Sequence, residues 1–244
     1  MKRKLVFLPV IIAFVLLGCA STGQAAPISG ADLYRAAMID SMIAEQDEIL
    51  PLVNISPEDP LTTWKDGKTL LLSFHRFPDS YIAGTDYVTK YGEVWTFTDK
   101  EMIKWFRENR TRRELAAASV SDWTFRFNQL LGLPEDRDYT HVSAMWADPA
   151  DVKRPAFETG ITRQVTGVKL PPDADPSYKE WFNGNIIWSY FDSAYPWTRL
   201  GYTYDWADNG TEYGLSEFLI QKNATVQVEW TRTIGEFVTW LSGQ

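Results

Sequence analysis

Twelve residues, Tyr195-Pro196-Trp197-Thr198-Arg199-Leu200-Gly201-Tyr202-Thr203-Tyr204-Asp205-Trp206, hold five aromatic rings, one arginine and one aspartate. That much ring surface must be packed into a core or laid against a ligand. Read as a strand, residues 197–206 place Trp197, Arg199, Gly201, Thr203 and Asp205 on one side, and Thr198, Leu200, Tyr202, Tyr204 and Trp206 on the other. The second side is the apolar one. The alternation favours a core for Tyr202, Tyr204 and Trp206 and leaves Trp197, Arg199 and Asp205 to meet solvent. There a flat ring, a fixed cation and a fixed anion would orient a ligand.

The other end of the chain sets the compartment. Lys2, Arg3 and Lys4 precede an apolar run at residues 5–17. As a helix, that run spans only about 20 Å against a hydrocarbon core of about 30 Å. This is the layout of a signal peptide, not of a membrane-spanning anchor. The run ends in Leu16-Leu17-Gly18-Cys19, which resembles the lipobox of bacterial lipoproteins, where the chain is cut before the cysteine and its sulfur is acylated. Cys19 is the only cysteine. An ordinary secretory peptide, cut near residues 23–25 with Cys19 discarded, is the alternative. Ala20 rather than Asp after the cysteine implies, by the same resemblance, the outer membrane and not retention at the inner one.

The expected layout is thus a signal peptide at 1–18, a lipidated tether at 19–29 and one globular domain at 30–244. Losing residues 1–18 removes three cations and takes the formal charge from −8 to −11. An overall field of that sign excludes binding of nucleic acid or anionic lipid through general electrostatics. With Cys19 acylated, no thiol remains for a disulfide, a thiolate metal site or a cysteine nucleophile.

Along the domain, helix and strand signals mix without strict alternation. Ser29 with Asp32 predicts a helix running to Pro51, and prolines at 51, 57 and 60 make a loop. Asp66-Gly67 predicts a turn before a buried strand at 69–75. Residues 93–97 predict a strand, and Thr98 with Glu101 a capping box for the next helix. Ser121-Asp122 opens a helix that Gly132-Leu133-Pro134 ends, and residues 141–146 read as a strand. Arg107, Arg110, Arg112 and Arg113 offer an anion contact or, more simply, a solvated helix end. Residues 166–176, with three prolines, are the best internal boundary. Asp175-Pro176 starts a helix. Residues 213–220 and 224–230 around Lys222-Asn223 predict a hairpin, and Thr233 with Glu236 caps a terminal helix. The expected class is α+β, a single domain with a mostly antiparallel sheet and several amphipathic helices.

Residues 195–206, Gly214-Leu215-Ser216-Glu217-Phe218 and Gln129-Leu130-Leu131-Gly132-Leu133-Pro134 together resemble the signature segments of an uncharacterised family of bacterial exported proteins and lipoproteins. The resemblance spans roughly residues 90–230. It implies an envelope location and brings no catalytic residue. It also implies a cysteine pair after Arg154-Pro155, which this chain lacks, with Ala156 in its place.

The chemistry is therefore argued from residue types. Trp197, Arg199, Asp205, Arg76 and His75 are the candidate ligand-binding residues. Trp197 would stack, the arginines would meet an anion, and His75 or Asp205 would hydrogen-bond or move a proton. The bland alternative pairs Arg76 with Asp79 and leaves His75 as a satisfied strand-end residue. As catalysts, Glu217 and Asp205 could act as paired carboxylates on a glycan, their separation deciding the outcome. Residues 217–228 also faintly resemble the glutamate-bearing hairpin of ADP-ribosyltransferases, although Leu215 stands where a second Glu or Gln is common. No cofactor motif is present, and no metal site is assigned. Asp205, Asp208, Asn209 and Glu212 lack the spacing of a calcium loop. The sequence favours a lipid-anchored binding or assembly component of the envelope, held to the membrane through Cys19. Its partner would be a glycan, a peptide or another envelope protein. A hydrolase of an envelope glycan or peptide is the runner-up, and a purely structural partner the third possibility.

Overall fold

Asp66 and Gly67 both take positive φ, 51° and 77°. That is the backbone a two-residue hairpin turn requires, and it folds β1 (Trp64–Lys65) onto β2 (Lys68–His75). The computed structural model describes residues 29–110, 119–192 and 194–244. The signal peptide, Cys19, residues 20–28, Arg112 and Arg113 lie outside them.

β2 is apolar on both faces because it runs through the middle of the sheet. It pairs along nearly its whole length with β5 (His141–Ala147), ending with His75 opposite His141. On its other side, β4 (Val94–Thr98) joins it through only Leu71↔Thr98 and Leu72↔Phe97. β4 then pairs with β9 (Phe218–Ile220) instead. The full order is β3 (Asp86–Val88), β10 (Thr225–Thr233), β5, β2, β4, β9, β6 (Val152–Lys153), with every pair antiparallel.

The two sheet edges come back together. Thr89, just past β3, donates its N–H to Ala224 and its hydroxyl to Gln221, while the Gln221 N–H donates to Asp151 beside β6. The sheet therefore curls into a partial barrel filled by Leu71, Met145, Phe218, Ile220, Val226 and Val228. Its outer face packs Phe97, Phe106, Trp123, Phe127 and Phe237 under α2 (Asp99–Asn109), α3 (Val120–Leu130) and α5 (Ile234–Ser242). A third cluster joins Leu52, Phe157, Phe182, Trp197 and Tyr202 beneath α4 (Pro176–Ile187), which continues into a π-helical turn at Trp188–Asp192. The chain is a single-domain α+β protein with an eight-stranded, antiparallel sheet.

Several expectations change. α1 (Gly30–Asp40) starts at the Ser29 cap but ends at Ser41, well short of Pro51. The Ser41 carbonyl accepts from the Tyr190 hydroxyl and the Arg199 guanidinium, so the chain is drawn aside, and Ile43 of the apolar periodicity stays exposed. The Thr98–Glu101 capping box does not form. Thr98 Oγ1 is buried without a partner, and Glu101 turns inward to Ser216 and Tyr213. α3 begins on a Ser119–Asp122 box, two residues before the expected Ser121. Asp175 and Thr233 cap α4 and α5 as expected. Arg107 and Arg110 donate to the Gln244 and Ser242 carbonyls at the end of α5.

Residues 213–230 are not a hairpin. β8 (Tyr213–Ser216) pairs with β7 (Tyr202–Tyr204), β9 with β4 and β6, and β10 with β3 and β5. The turn at Asn223, with φ of 68°, bridges the seam of the curled sheet. The glutamate-bearing hairpin that suggested an ADP-ribosyltransferase is therefore absent.

The aromatic segment is not one strand either. Arg199 and Gly201 take φ of 60° and 88°, and Trp197 folds back to bridge Thr203. A Cβ on residue 201 would lie 2.7 Å from Arg154 Cδ, so glycine is required there on two counts. The turn cancels the alternation. Trp197, Arg199 and Asp205 are 5%, 9% and 2% exposed, and Tyr202 and Trp206 are buried too.

Candidate functional site

After its two pairs with β4, β2 diverges, and no ladder joins residues 73–75 to residues 94–96. A cavity of about 470 Å³ opens in that split. Its walls come from β2, β4, the loop after α3, the end of α4 with its π-turn, and the aromatic segment. Trp95, Trp188, Tyr195 and Trp197 give it rings, and His75, Glu93, Asn185 and Glu217 give it polar groups.

Glu217 sits between β8 and β9, where its N–H donates to Gly201. Its Oε2 is buried with no hydrogen-bond partner among the described residues, and Asn185 Nδ2 in the same walls is in the same condition. Buried polar atoms are rarely left so. Burial pushes the Glu217 carboxyl up to about 8, with only the Arg154 charge opposing. At neutral pH it carries a proton.

Trp197 donates its indole N–H to Pro155 and is wedged against Trp181 and Phe182. Its remaining neighbour is Trp95, edge to face at 6.3 Å and 88°. Trp95 is 38% exposed and Trp188 62%, so both present open ring surface.

His75 is buried at the end of β2. Its Nδ1 accepts from the Phe77 N–H, which puts the proton of the neutral ring on Nε2, 2.7 Å from Ser143 Oγ. Ser143 passes its own hydrogen to Thr231, and Thr231 donates to the Tyr81 carbonyl. The chain of bonds ends on the Tyr81 backbone, and Ser143 within it is fully buried. Burial, with His141 beside it, pushes His75 down to about 4, so the ring is neutral. Its contacts are those of a satisfied strand-end histidine.

Arg199, Asp205 and Arg76 do not line the cavity. Arg199 is buried between the Phe157 and Tyr190 rings and donates to Ser41. Asp205 is held by both terminal nitrogens of Arg126, at 2.9 and 2.5 Å, and also accepts from the Ala207 N–H and the Asn209 amide. A carboxylate so saturated has no lone pair to give a substrate, so Asp205 does not serve as an acid, a base or a ligand contact. Arg76 is exposed and pairs with Asp138 at 3.1 Å, not with Asp79.

Behind Glu217 lies a second buried carboxylate. Glu101 accepts from the Ser216 N–H, the Ser216 hydroxyl and the Tyr213 hydroxyl at 2.8, 3.0 and 2.9 Å. Burial pushes it up to about 7, those hydrogen bonds opposing. Arg154, fully buried over the Phe218 ring, donates to the carbonyls of Gly201, Val53 and Arg163 and so staples three loops. Both residues are structural.

Among the described residues, Asp40, Glu48 and Glu212 form the carboxylate group that could hold a cation, their oxygens lying within 4.8 Å of one another. Tyr204 already donates to Asp40 and Tyr202 to Glu212. Burial pushes Glu212 up to about 7, opposed by the Tyr202 bond and reinforced by Glu48 and Asp40. The group lies outside the cavity.

Sequence reasoning missed Trp95, Trp188 and Asn185. Trp95 carries the one usable signal, a large ring on the outward side of a short strand. Comparison with protein families, curated proteins and solved structures finds no match.

Proposed function

We propose that this protein is a lipid-anchored ligand-binding component of the bacterial envelope, with its site in the split between β2 and β4. The observation that carries the binding reading is the Glu217 carboxylate, unpartnered in an aromatic-walled cavity of about 470 Å³. The volume lies within the range of small-molecule sites, about 300–1,000 Å³. An orphan acceptor in such a place has a use when a ligand supplies the donor. The anchoring half rests on the sequence alone, Lys2 to Cys19. It predicts that palmitate labels the full chain and that Cys19→Ala abolishes both the label and membrane fractionation.

A hydrolase reading keeps one foothold. A carboxyl raised to about 8 is protonated at neutral pH, as a general acid must be. Asp205 cannot be its partner, which leaves Glu93 as the other carboxylate in the walls. Turnover of a bound glycan or peptide that disappears in both Glu217→Gln and Glu93→Gln would favour it.

The binding test uses tryptophan emission, since three indoles line the cavity. The full chain in detergent is titrated with small amines, sugars and blocked peptides while emission and melting temperature are followed. A ligand at a hundred times its dissociation constant stabilises by about 2.7 kcal/mol. A saturable emission change with a matching thermal shift, both lost in the cavity-filling variant Asn185→Trp, supports the site. Binding that survives Asn185→Trp unchanged places the ligand elsewhere.

A further inference from the structure

Among the described residues, the walls contain no lysine or arginine. Their ionisable groups are Glu217, Glu93, the neutral His75 and tyrosines. The nearest guanidiniums stand behind the walls, Arg154 acting on Glu217 and Arg137 lying over the Tyr139 and Tyr195 rings. A carboxylate or phosphate ligand would find no cation in the walls themselves to pair with, and a buried charge without a direct partner is costly. The acceptor that waits is itself acidic, and the nearest open surfaces are indole faces. Elsewhere this chain shows how it handles a cation: Lys153 Nζ lies 4.4 Å above the Trp181 ring, and the Arg126 guanidinium 4.9 Å above Trp105 while it pairs with Asp205. Carboxylate and indole together are the usual recognition set for an ammonium group.

Resting on the binding reading above, we infer that the ligand presents a cationic amine on an apolar or aromatic body. On binding, Glu217 releases its proton to solvent and its carboxylate pairs with the ammonium, the body lies against the open rings of Trp95 and Trp188, and the Asn185 amide meets a ligand acceptor. A neutral sugar fits less well, because stacking is available but the fixed donors and acceptors in these walls are few. The same cation could arrive as a free amine or as the side chain of a peptide.

The test compares isosteres on the full chain in detergent: 2-phenylethylamine, 2-phenylethanol, 3-phenylpropionate, a lysine diamide with blocked termini, and chitotriose. The expected result is that the amine or the lysine diamide binds at least tenfold more tightly than the alcohol, and that the carboxylate gives no saturable signal. Glu217→Gln should bring the amine down to the affinity of the alcohol without lowering the melting temperature. Trp95→Leu, a change at a partly exposed ring, should weaken the cation roughly threefold to tenfold and the alcohol less. The margin between amine and diamide tells a free amine from a side chain. Alcohol or chitotriose binding as well as the amine would overturn the amine inference and leave the binding reading standing. No saturable signal from any of the five would count against the cavity as a ligand site altogether.

Discussion

Asp205 and Glu217 are two inward-facing carboxylates on neighbouring parts of the fold, and their surroundings differ completely. Asp205 collects two nitrogens of Arg126, a backbone N–H and an asparagine amide. Glu217 has an Oε2 that no described group reaches. A buried charge that is paired and fully hydrogen-bonded is part of the scaffold, whereas one left open is a cost the fold carries for some other reason. The first kind is destroyed by mutation. The second is relieved by it.

The largest effect should come from breaking the saturated region. Asp205→Ala leaves Arg126 buried beside Trp105 with no counter-charge, which costs about 3–5 kcal/mol. For a domain of this size that lowers the melting temperature by roughly 10 °C. Urea unfolding of parent and variant measures it, and a loss under about 1 kcal/mol would erase the contrast between the two carboxylates.

Glu217→Gln should do the reverse, increasingly as pH rises above about 4.5. The folded-state pKa of about 8 lies above the ordinary value of 4.5, so between the two the native state holds a proton that the unfolded chain has released. Stability from this group is whole below about pH 4.5 and is lost as pH rises through 8. Relative to its own value at pH 4.5, the variant should gain about 4–5 kcal/mol on the parent by pH 9. A difference that stays flat across that range would mean Glu217 is solvated or paired in solution.

His75 supplies a check of opposite sign from inside the same cavity. Its pKa is depressed from 6.5 to about 4, so its contribution is present above pH 6.5 and is lost as pH falls toward 4, by about 2–3 kcal/mol. His75→Gln should flatten the acid limb of the stability profile and leave the alkaline limb, where Glu217 acts, unchanged.

How much of this was legible depended on whether a signal was local. The Asp66-Gly67 turn, β2, the caps of α4 and α5 and the antiparallel α+β class follow from neighbouring residues, and they stand. What failed needed distant partners. Glu101 has the spacing of a capping residue, yet Ser216 and Tyr213, more than a hundred positions on, take it instead. The alternation at 197–206 was sound until positive φ at Arg199 and Gly201 folded the segment back. Of the expected ligand residues, the cavity collects Trp197 and His75 but not Arg199, Asp205 or Arg76, and of the expected catalytic pair it collects Glu217 alone. The split between β2 and β4 that makes the cavity is a register event between strands, and nothing in either strand alone announces it.

The smallest effect bears on the sharpest part of the comparison. Arg76 leaves β2 immediately after His75, the cavity residue, but its side chain lies in solvent against Asp138, the two 48% and 69% exposed. An exposed pair of this kind contributes about 0–1 kcal/mol and is screened by salt. Arg76→Ala should therefore change stability by less than about 0.5 kcal/mol, and adding salt to the parent should mimic most of that change. It should also leave ligand affinity untouched, since the cation-free walls are the reason an amine is expected. If the parent instead bound an anionic probe and Arg76→Ala weakened that binding, the guanidinium would be swinging into the cavity. The charge inventory on which the amine rests would then be wrong by one full positive charge.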